Sequence, residues 1–371
     1  MPCCRLADLP PPMSGATGWP WTEEPPELPA VMPDGRSWPR ITVVTPSYNQ
    51  AAFLEETVRS VLLQGYPNLE YLVLDGGSTD GSLAIVERYS PWIDWWTAGP
   101  DAGQSDAIQS GLDRASGEIF NWINSDDLLL PGALRHVAEN FGAGVDAVAG
   151  AGRFFGEDFD SWVLQNEGLS ARALVRGATG PVFVQPALWL RTDAVTAAGG
   201  IDRELNYYFD MDMTIRYLAG HANVAYTARV LAAFRLHGVS KTMAANHRFR
   251  EEYRIALRKL AEWPGSRVVR RMAARRLEEL ALHESVRQLL GDGSAGRWVS
   301  TGRLAALAAR HPRPGALKIC TAALARLVRG RPWFEDDGRS LPVWAEPHYR
   351  GAGRVADGGD IDADSGAGGS R

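Results

Sequence analysis

The sequence predicts an α/β protein with a mostly parallel sheet that is flanked by helices and followed by a C-terminal helical appendage. Short apolar runs, typical of buried strands, alternate with stretches of helical periodicity from residue 41 to about residue 123. This alternation is typical of parallel strands connected by helices that cover both faces of a sheet. From His247 to about Leu327 long stretches have helical periodicity, and they predict the appendage.

The predicted strands and helices follow one another closely after residue 40. The first strand is the apolar run 41–44, and the second is the run 71–74. Between them, one face of a predicted helix carries four apolar residues: Leu54, Val58, Val61 and Leu62. A Gly-rich turn and a helix follow the second strand, and a further helix over about 104–115 leads into the strand 118–123. Residues 145–240 predict short strands and loops.

The chain of 371 residues is long enough for two domains, or for one large domain with appendages. Residues 1–38 are rich in proline and predict an extended or disordered lead. Residues 39–244 contain the alternating pattern and predict the main domain, and residues 245–330 predict the helical appendage. Residues 331–371 predict a tail that is disordered from about residue 351, where Gly, Ala and Asp dominate.

Composition favours a cytoplasmic protein. No apolar run approaches the roughly 18 residues of a membrane span, and no apolar segment of a signal peptide follows the early Arg5. The three cysteines are too few and too badly placed for a disulfide framework, and they lack neighbouring metal-ligand partners. We therefore expect a reducing, cytosolic environment.

Charge is distributed unevenly along the chain. The whole sequence carries a net charge of −5, but Lys241 to Arg329 contains 19 Lys or Arg and 7 Asp or Glu, a surplus of 12 positive charges. This surplus favours an anionic partner such as a membrane surface or a phosphorylated lipid. The alternative is a solvated, Arg-rich helical face that packs against the acidic main domain. The densest cluster spans more than one helix face, so some of its members must pack on protein: Arg270, Arg271, Arg275 and Arg276.

Polar loops follow three of the predicted strands, at 45–49, 75–81 and 124–127. In an open α/β sheet, ligands bind outside the carboxyl ends of the strands, so we expect the three loops to meet at one edge. Acidic residues at the end of a buried strand are costly unless a cation meets them, and a divalent metal carrying a diphosphate is one such cation. The alternative is that each loop is a solvated turn that caps the next helix.

Glycine and aspartate in the second loop suit a nucleotide. Gly76 and Gly77 let the backbone approach a ligand closely. Asp75 can accept the imide N–H of a uracil or thymine, or the paired donors of a guanine.

Four motifs in this order resemble glycosyltransferase family 2. They are Pro46-Ser47-Tyr48-Asn49, Asp75-Gly76-Gly77-Ser78-Thr79-Asp80-Gly81, Gly103-Gln104-Ser105-Asp106-Ala107 and Asn124-Ser125-Asp126-Asp127. The resemblance runs from about Ile41 to Leu134, with weaker landmarks to about His237, and is closest to bacterial enzymes of surface-polysaccharide assembly. It implies the GT-A nucleotide-diphospho-sugar transferase fold for residues 39–244.

The resemblance also implies roles for single residues. Those expected to bind the nucleotide-sugar are Thr45, Pro46, Tyr48, Asn49, Asp75, Gly76, Gln104, Asp106, Asn124 and Ser125. Those expected to hold a divalent metal, Mn²⁺ or Mg²⁺, are Asp126, Asp127 and His237. Asn124 stands where the family's D-x-D motif more usually has Asp. The neutral asparagine lowers the negative charge of the site. Arg235, His237 and Ser240 resemble a late loop that closes on the diphosphate.

The candidate catalytic residues are Asp210 and Asp212, with Asp210 the better match to the family's base. Phe209 stands before it, where the family usually has Glu. The alternative is that both aspartates are first-turn acids that the helix dipole favours.

This resemblance implies an inverting transfer of a sugar from a nucleotide-diphosphate sugar to a glycan or lipid-linked acceptor. A carboxylate takes the acceptor's proton, a cation stabilises the departing diphosphate, and the anomeric carbon passes through an oxocarbenium-like state. Two alternatives stay open: a nucleotidyltransferase, although residues 45–49 lack a Gly-rich basic phosphate loop, and an inactive nucleotide-sugar binding module. The expected partners are the nucleotide-sugar donor, the glycan or lipid-linked acceptor and the anionic inner face of a membrane. A nucleic-acid partner is not expected.

Overall fold

A computed structural model describes residues 4–12, 15–157, 159–176, 183–238, 246–291, 297–310 and 314–328. Ser240, the ends of the basic region at Lys241 and Arg329, and the predicted tail at 331–371 lie outside these residues.

Strands in the described residues join into one nine-stranded sheet. Their bounds are β1 Ile41–Ser47, β2 Leu69–Asp75, β3 Trp95–Ala98, β4 Ile119–Trp122, β5 Leu128–Leu129, β6 Ala147–Gly156, β7 Phe159–Gln165, β8 Leu188–Arg191 and β9 Val224–Arg235.

Helices alternate with the strands in the first half of the chain and follow one another at its C-terminal side. Their bounds are α1 Ala51–Leu62, α2 Ser82–Tyr89, α3 Gln104–Leu112, α4 Ala133–Asn140, α5 Ala171–Arg176, α6 Thr192–Ala197, α7 Phe209–Leu218, α8 Asn246–Glu262, α9 Arg267–Gly291, α10 Arg297–Arg310 and α11 Pro314–Val328.

The sheet is parallel in its first half and mixed in its second. The strand order is β3-β2-β1-β4-β8-β6-β9-β5, with β7 paired to β6. The pairs among β1 to β4 are parallel, as predicted. Beyond β4, the β4–β8, β6–β8, β6–β7 and β5–β9 pairs are antiparallel and only β6–β9 is parallel. The prediction of short strands over 145–240 is wrong for β6 and β9, which have 10 and 12 residues.

Two hydrophobic clusters cover the two faces of the sheet. In β2, Tyr71 and Val73 belong to one cluster, and Leu72 and Leu74 belong to the other. Successive side chains of a strand point to opposite faces, so a strand covered on both sides needs a continuous apolar run. This is the pattern that predicted the strands, and it leaves the carboxyl ends of β1, β2 and β4 as the place where polar loops emerge.

The proline-rich lead is ordered against the main domain where the structure describes it. Met32 and Trp38 are buried in one of the two clusters. Arg59 of α1 is buried at 1% exposure and donates hydrogen bonds to the carbonyl oxygens of Pro10, Pro20 and Trp21. A buried guanidinium needs such acceptors, so the lead supplies partners that α1 requires.

Helices α8 and α9 are continuous with the core of the main domain. Leu257 and Leu260 of α8, and Val269 and Ala273 of α9, belong to the cluster that contains Phe120 of β4. Helices α10 and α11 close a separate small cluster with the end of α9. The predicted appendage therefore consists of a part fused to the main domain and a part beyond it. Within the described residues, no helix combines the length and the apolar character needed to span a membrane.

Candidate active site

The loops after β1 and β2 are joined by hydrogen bonds. The last residues of the two strands, Ser47 and Asp75, are paired in register. Asn49 donates its backbone N–H to Ser78 Oγ over 2.8 Å, and its side-chain oxygen accepts the N–H of Thr79 over 2.9 Å. Asn49 adopts a φ of 52°, in the left-handed region that Asn tolerates better than most residues. These bonds fix the two loops as one polar surface.

Asp75 organises its own loop. The side chain is 2% exposed, and one oxygen accepts the N–H groups of Gly77 and Ser78 over 3.1 and 2.7 Å. The other oxygen accepts the hydroxyls of Ser47 and Ser78 over 3.0 and 2.7 Å. A nucleobase can be accepted here only if one hydroxyl rotates away. The base-binding role of Asp75 therefore stays a prediction. Its structural role is to accept the four hydrogen bonds that hold the loop.

An exposed carboxylate, Asp101, lies beside this loop and carries no role in the resemblance. A Cβ at position 76 would lie 3.0 Å from Asp101 Oδ2, so a side chain there would have to displace the Asp101 carboxylate slightly. Asp101 Oδ1 accepts the N–H of Gly103 over 2.9 Å at the start of α3. The sequence signal that could have found Asp101 is its position three residues before Gln104, in the third motif.

Residues of the first loop, 45–49, divide between the core and the surface. The ring of Tyr48 is 63% exposed at the edge of the sheet, where it can contact a base. Thr45 is fully buried, and its hydroxyl oxygen accepts a hydrogen bond from Tyr71 over 3.0 Å. Pro46 is buried within β1. Thr45 therefore supports the loop from beneath.

Asn124, directly after β4, joins two elements of the site. Its side-chain oxygen accepts Gln104 Nε2 of α3 over 2.7 Å, and its amide nitrogen donates to Asp127 Oδ2 over 3.0 Å. Asp127 is 1% exposed, and its other oxygen accepts the backbone N–H of Arg235 over 3.0 Å. Burial, and then the neighbouring charge of Asp126, raise the pKa of Asp127 well above its usual value.

Asp126 faces the end of β9. Its Oδ2 lies 3.0 Å from Nε2 of His237, whose ring packs on Phe53 with the centroids 4.7 Å apart. Arg235 donates from Nε to the carbonyl oxygen of Asp126 and from NH2 to Glu56 of α1, over 3.0 and 2.7 Å. The structure thus brings together Asp126 and His237, which are 111 positions apart in the chain.

The side chains around Asp126 offer few ligands, so they suit a divalent ion that takes most of its ligands from the phosphates of a bound substrate. Asp126 and His237 present an oxygen and a nitrogen 3.0 Å apart, which can bind one ion together. Both oxygens of Asp127 already accept hydrogen bonds from protein donors, so Asp127 is poorly placed as a ligand. No group of three or more His, Cys, Asp or Glu in the described part of the chain forms a ligand set. Mg²⁺ commonly needs only one or two carboxylates beside substrate phosphates.

The two candidate bases in α7 differ in their surroundings. Asp210 is half-buried in the first turn and accepts the N–H of Met211 over 2.7 Å. Desolvation by the surrounding protein raises the pKa of Asp210 to about 6. Asp212 is 2% exposed and pairs with Arg216 over 2.7 Å, and Arg216 also donates to Gly200 O. Asp212 therefore stabilises the fold around α7, and Asp210 is the less buried of the two residues and has no cationic partner among the described residues.

The start of α7 packs against the other parts of the site. Phe209 lies against Trp122, the last residue of β4, with ring centroids 6.0 Å apart. A Cβ at Gly103 would lie 2.7 Å from Asn206 Oδ1, so the turns before α3 and α7 touch. Asp210 thus lies in the helix turn next to the strand end that carries Asn124.

The remaining residues of the predicted site contribute indirectly. Asp106 pairs with Arg203 and accepts the N–H of Ala102, so its carboxylate holds the α3 turn. Ser125 is 5% exposed beneath the loop. Sequence reasoning missed Glu56, which pairs with Arg235, because nothing in the helical pattern of α1 marks it.

Comparison with known proteins defines the class to which this arrangement belongs. The structure resembles Staphylococcus aureus TarS 1-349 in complex with UDP-GlcNAc, with a TM-score of 0.55 and 16% identity over 79% of this chain and 92% of that one. It also resembles the mannosyltransferase PcManGT of Pyrobaculum calidifontis in complex with GDP-Man and Mn²⁺, with a TM-score of 0.50 and 19% identity over 78% of this chain and 86% of that one. These likenesses show the GT-A fold.

Sequence comparison gives the family. Residues 42–197 match the profile of glycosyl transferase family 2. A putative teichuronic acid biosynthesis glycosyltransferase, TuaG of Bacillus subtilis, is 36% identical over 92 residues, which are 24% of this chain and 36% of TuaG. The chain spans about a third of the length of the curated relatives that it matches. Residues 42–197 therefore resemble the family 2 glycosyltransferases, and the resemblance predicted from the motifs is confirmed.

Proposed function

We propose that the chain is an inverting glycosyltransferase that moves a sugar from a nucleotide-diphosphate sugar to a glycan or lipid-linked acceptor in cell-surface polysaccharide biosynthesis. One observation carries the proposal. The helix turn that carries the half-buried Asp210 packs through Phe209 on Trp122, two residues before the Asn124 loop. A base and a diphosphate site on one edge are what a displacement at the anomeric carbon requires.

Asp210 is the proposed base. Its pKa of about 6 leaves it mostly ionised at neutral pH, and it binds a proton more readily than an ordinary aspartate. It takes the proton of the acceptor hydroxyl as that oxygen attacks the anomeric carbon from the face opposite the diphosphate. The C–O bond to the diphosphate breaks, and the anomeric configuration is inverted. No covalent intermediate with the protein is needed in this scheme.

A divalent ion, Mn²⁺ or Mg²⁺, is the proposed cofactor, with Asp126 and His237 as the residues that would hold it. Bound there, it would supply positive charge against the departing diphosphate. PcManGT is described with Mn²⁺, which supports a divalent ion as a cofactor of proteins with this fold. Arg235, which donates to the carbonyl oxygen of Asp126, holds the loop in the position that this role needs.

Proteins of this fold are described with more than one nucleotide-sugar donor. TarS is described with UDP-GlcNAc and PcManGT with GDP-Man, so two bases occur among proteins of this fold. TuaG is named for teichuronic acid biosynthesis, which supports a surface polysaccharide as the product. Tyr48 and the loop of Asp75 are the proposed contacts of the base.

We propose that the protein acts at the inner, cytoplasmic surface of an anionic membrane, because a lipid-linked acceptor is held there. Arg267, Arg271 and Arg275 are exposed and four residues apart, so they lie on one face of α9, which we call the basic face. Arg276 turns inward instead, donating to Tyr253 OH and Glu279 over 3.0 and 3.1 Å. The basic face is therefore smaller than the arginine count implies.

Turnover of nucleotide-sugars separates this proposal from its two alternatives. The purified chain is incubated with Mn²⁺, a panel of UDP- and GDP-sugars, and lipid-linked sugar acceptors. Acceptor-dependent release of the nucleoside diphosphate, with an inverted anomeric signal by NMR, is expected. A nucleotidyltransferase would instead release pyrophosphate from a nucleoside triphosphate and a sugar phosphate. An inactive binding module would bind a donor in calorimetry without releasing product.

A further inference from the structure

Glu252 of α8 contacts the turn that begins α7. Its carboxylate lies 2.9 Å from the backbone nitrogen of Asn206, 2.6 Å from that of Tyr207 and 3.0 Å from that of Tyr208. Three successive N–H groups thus donate to one side chain. Hydrogen bonds to an ionised carboxylate are about twice as strong as those between neutral groups.

Of these three residues, Tyr208 is the N-cap of α7 and makes no side-chain cap of its own, and Asn206 and Tyr207 form the turn before it. The first N–H groups of a helix have no acceptor within the helix, so the N–H of Tyr208 needs a partner from elsewhere. Glu252 supplies the acceptor from more than 40 positions away in the chain. Its negative charge also lies where the helix dipole favours an anion.

Two further contacts of α8 hold the same segment. Lys259 donates to Asp202 and Glu204, each over 2.6 Å. The ring of Tyr253 packs on Tyr208 with the centroids 5.2 Å apart. Helix α8 therefore contacts the segment before α7 through three side chains, and Glu252 bonds to three successive residues of it.

We propose that Glu252 is a positioning residue for Asp210, holding residues 206–208 so that the Asp210 carboxylate faces the acceptor and placing a negative charge beside it. This inference rests on the proposed function, because it takes Asp210 as the base. Phe209 stands where the family usually has Glu, and Glu252 brings a carboxylate to the same helix start from another element. Helix α8 is then part of the catalytic unit.

The groups that face Asp210 decide the sign of the electrostatic effect. Desolvation is the largest cause of its raised pKa, the N–H of Met211 opposes it, and the charge of Glu252 adds to it. Tyr208 lies beside Asp210 on its own element, and Asp212 is paired with Arg216. Tyr253 of α8 and Arg276 of α9 both face Tyr208, and Arg276 donates a hydrogen bond to Tyr253. Removing the charge of Glu252 therefore lowers the pKa of Asp210.

Glu252→Gln tests the proposal in the full-length chain. It keeps the size and one oxygen acceptor and removes the charge. The expected result is a fall in kcat on the order of tenfold with little change in donor Kd, because the base is displaced and not the donor site. The acid limb of the kcat profile is expected to move to lower pH. Glu252→Asp, which keeps the charge, is expected to restore the position of that limb.

Glu251→Gln is the matched control, since Glu251 is the exposed neighbour on α8 and its removal changes the net charge equally. It is expected to leave kcat and the pH profile as in the parent. An unshifted acid limb in Glu252→Gln, with or without a lower kcat, would overturn the proposal and leave Glu252 as a fold-stabilising cap.

Direct titration of Asp210 separates this inference from the proposed function. Its carboxyl carbon is followed by NMR in the parent and in Glu252→Gln, with no substrate present. A lower pKa in the variant supports the positioning charge even if no donor is turned over. An equal pKa in both proteins overturns the inference even if sugar transfer by the parent is established.

Discussion

Asn124 donates its amide N–H to the carboxylate of Asp127 over 3.0 Å, while its oxygen accepts a hydrogen bond from Gln104 over 2.7 Å. Asp127 is buried, so this donor is one of its few possible partners. A carboxylate at position 124 could accept hydrogen bonds but could not donate one. The asparagine that departs from the family's D-x-D motif therefore matches the buried aspartate three residues later.

Asn124→Asp is expected to lower the free energy of unfolding. It leaves the Asp127 oxygen without its donor, which costs about 1–3 kcal/mol for a buried acceptor, and it places a second carboxyl group against that oxygen. Urea-induced unfolding followed by tryptophan fluorescence measures the loss. Restoring the family's more usual aspartate at position 124 is thus expected to destabilise this protein.

Asn124→Ala is the control for that measurement, because it removes the same hydrogen bonds and adds no charge. It is expected to cost less than Asn124→Asp. Equal stability of Asn124→Asp and the parent would contradict the inferred role of the asparagine.

Asp210→Asn is expected to reduce sugar transfer by roughly 100-fold or more, the usual scale for losing a general base. Donor binding is expected to stay close to that of the parent, because the substituted group lies on the acceptor side of the scheme. Initial rates of nucleoside diphosphate release, with donor Kd from calorimetry, give the two quantities.

Asp212→Asn serves as the comparison two residues away. It breaks the buried pair with Arg216, so it is expected to lower stability more than it lowers the rate of the folded protein. A severe loss of rate in Asp212→Asn with a mild one in Asp210→Asn would reverse the assignment of the base.

Asp210→Asn is also expected to stabilise the protein at neutral pH. The pKa of Asp210 is about 6 in the folded state and 3.8 as the usual value, so the folded protein binds this proton more tightly. The contribution of the group to stability is therefore complete below the lower value and is lost as pH rises through about 6. Asparagine has no such loss.

Thermal unfolding at two pH values checks this sign. The melting temperature of Asp210→Asn is expected to exceed that of the parent at about pH 7.5, and the difference is expected to shrink toward about pH 4. A parent that is more stable than the variant at the higher pH would mean that the carboxylate is not destabilised in the fold.

The predictable part of the site is the part with local sequence signals. The strands β1, β2 and β4 are buried on both faces, so continuous apolar runs marked them, and the polar loops at their ends followed from parallel topology. The contacts that complete the site join residues far apart in the chain. Arg235 meets Glu56 and Glu252 meets Asn206 through side chains whose neighbours in sequence give no pattern.

The lead and the second half of the sheet depend on contacts that sequence composition does not contain. Proline-rich sequence usually cannot bury enough apolar surface to become ordered, yet this lead supplies the carbonyl oxygens that Arg59 requires and the buried rings and side chains of Trp38 and Met32. The antiparallel pairing that begins between β4 and β8 depends on which strand fills the space beside β4. Periodicity alone does not contain that information.

Asp126→Asn and His237→Ala are each expected to remove most of the gain in nucleoside diphosphate affinity that Mn²⁺ produces. Affinity without metal is expected to change little, because these side chains would meet the nucleotide through the ion. Calorimetric titration of the nucleoside diphosphate with Mn²⁺ and with a chelator gives both values.

Asp127→Asn is the comparison for the metal experiment. Its oxygens accept protein hydrogen bonds, so it is expected to alter stability while preserving the effect of Mn²⁺. Loss of that effect in Asp127→Asn alone would move the ion from Asp126 to Asp127.

The basic face of α9 is expected to bind anionic vesicles weakly and reversibly. Each basic side chain near such a surface contributes about 1 kcal/mol, so Arg267, Arg271 and Arg275 together give a modest attraction that falls as salt rises. Flotation with anionic and with neutral vesicles at low salt measures it. Replacing these three arginines with glutamine is expected to abolish flotation with the anionic vesicles.

A control variant that loses three arginines outside α9 shows whether vesicle binding depends on the basic face or on the net charge of the whole chain. Glutamine at three other exposed arginines is the control: Arg36, Arg135 and Arg153. This control is expected to float as the parent does, since its substitutions lie outside α9. Equal failure of the parent to bind both kinds of vesicle at low salt would rule the membrane out as a partner of the basic face. The exposed arginines of α9 would then be a solvated surface of a helix whose other side, through Val269 and Ala273, closes the core of the transferase domain.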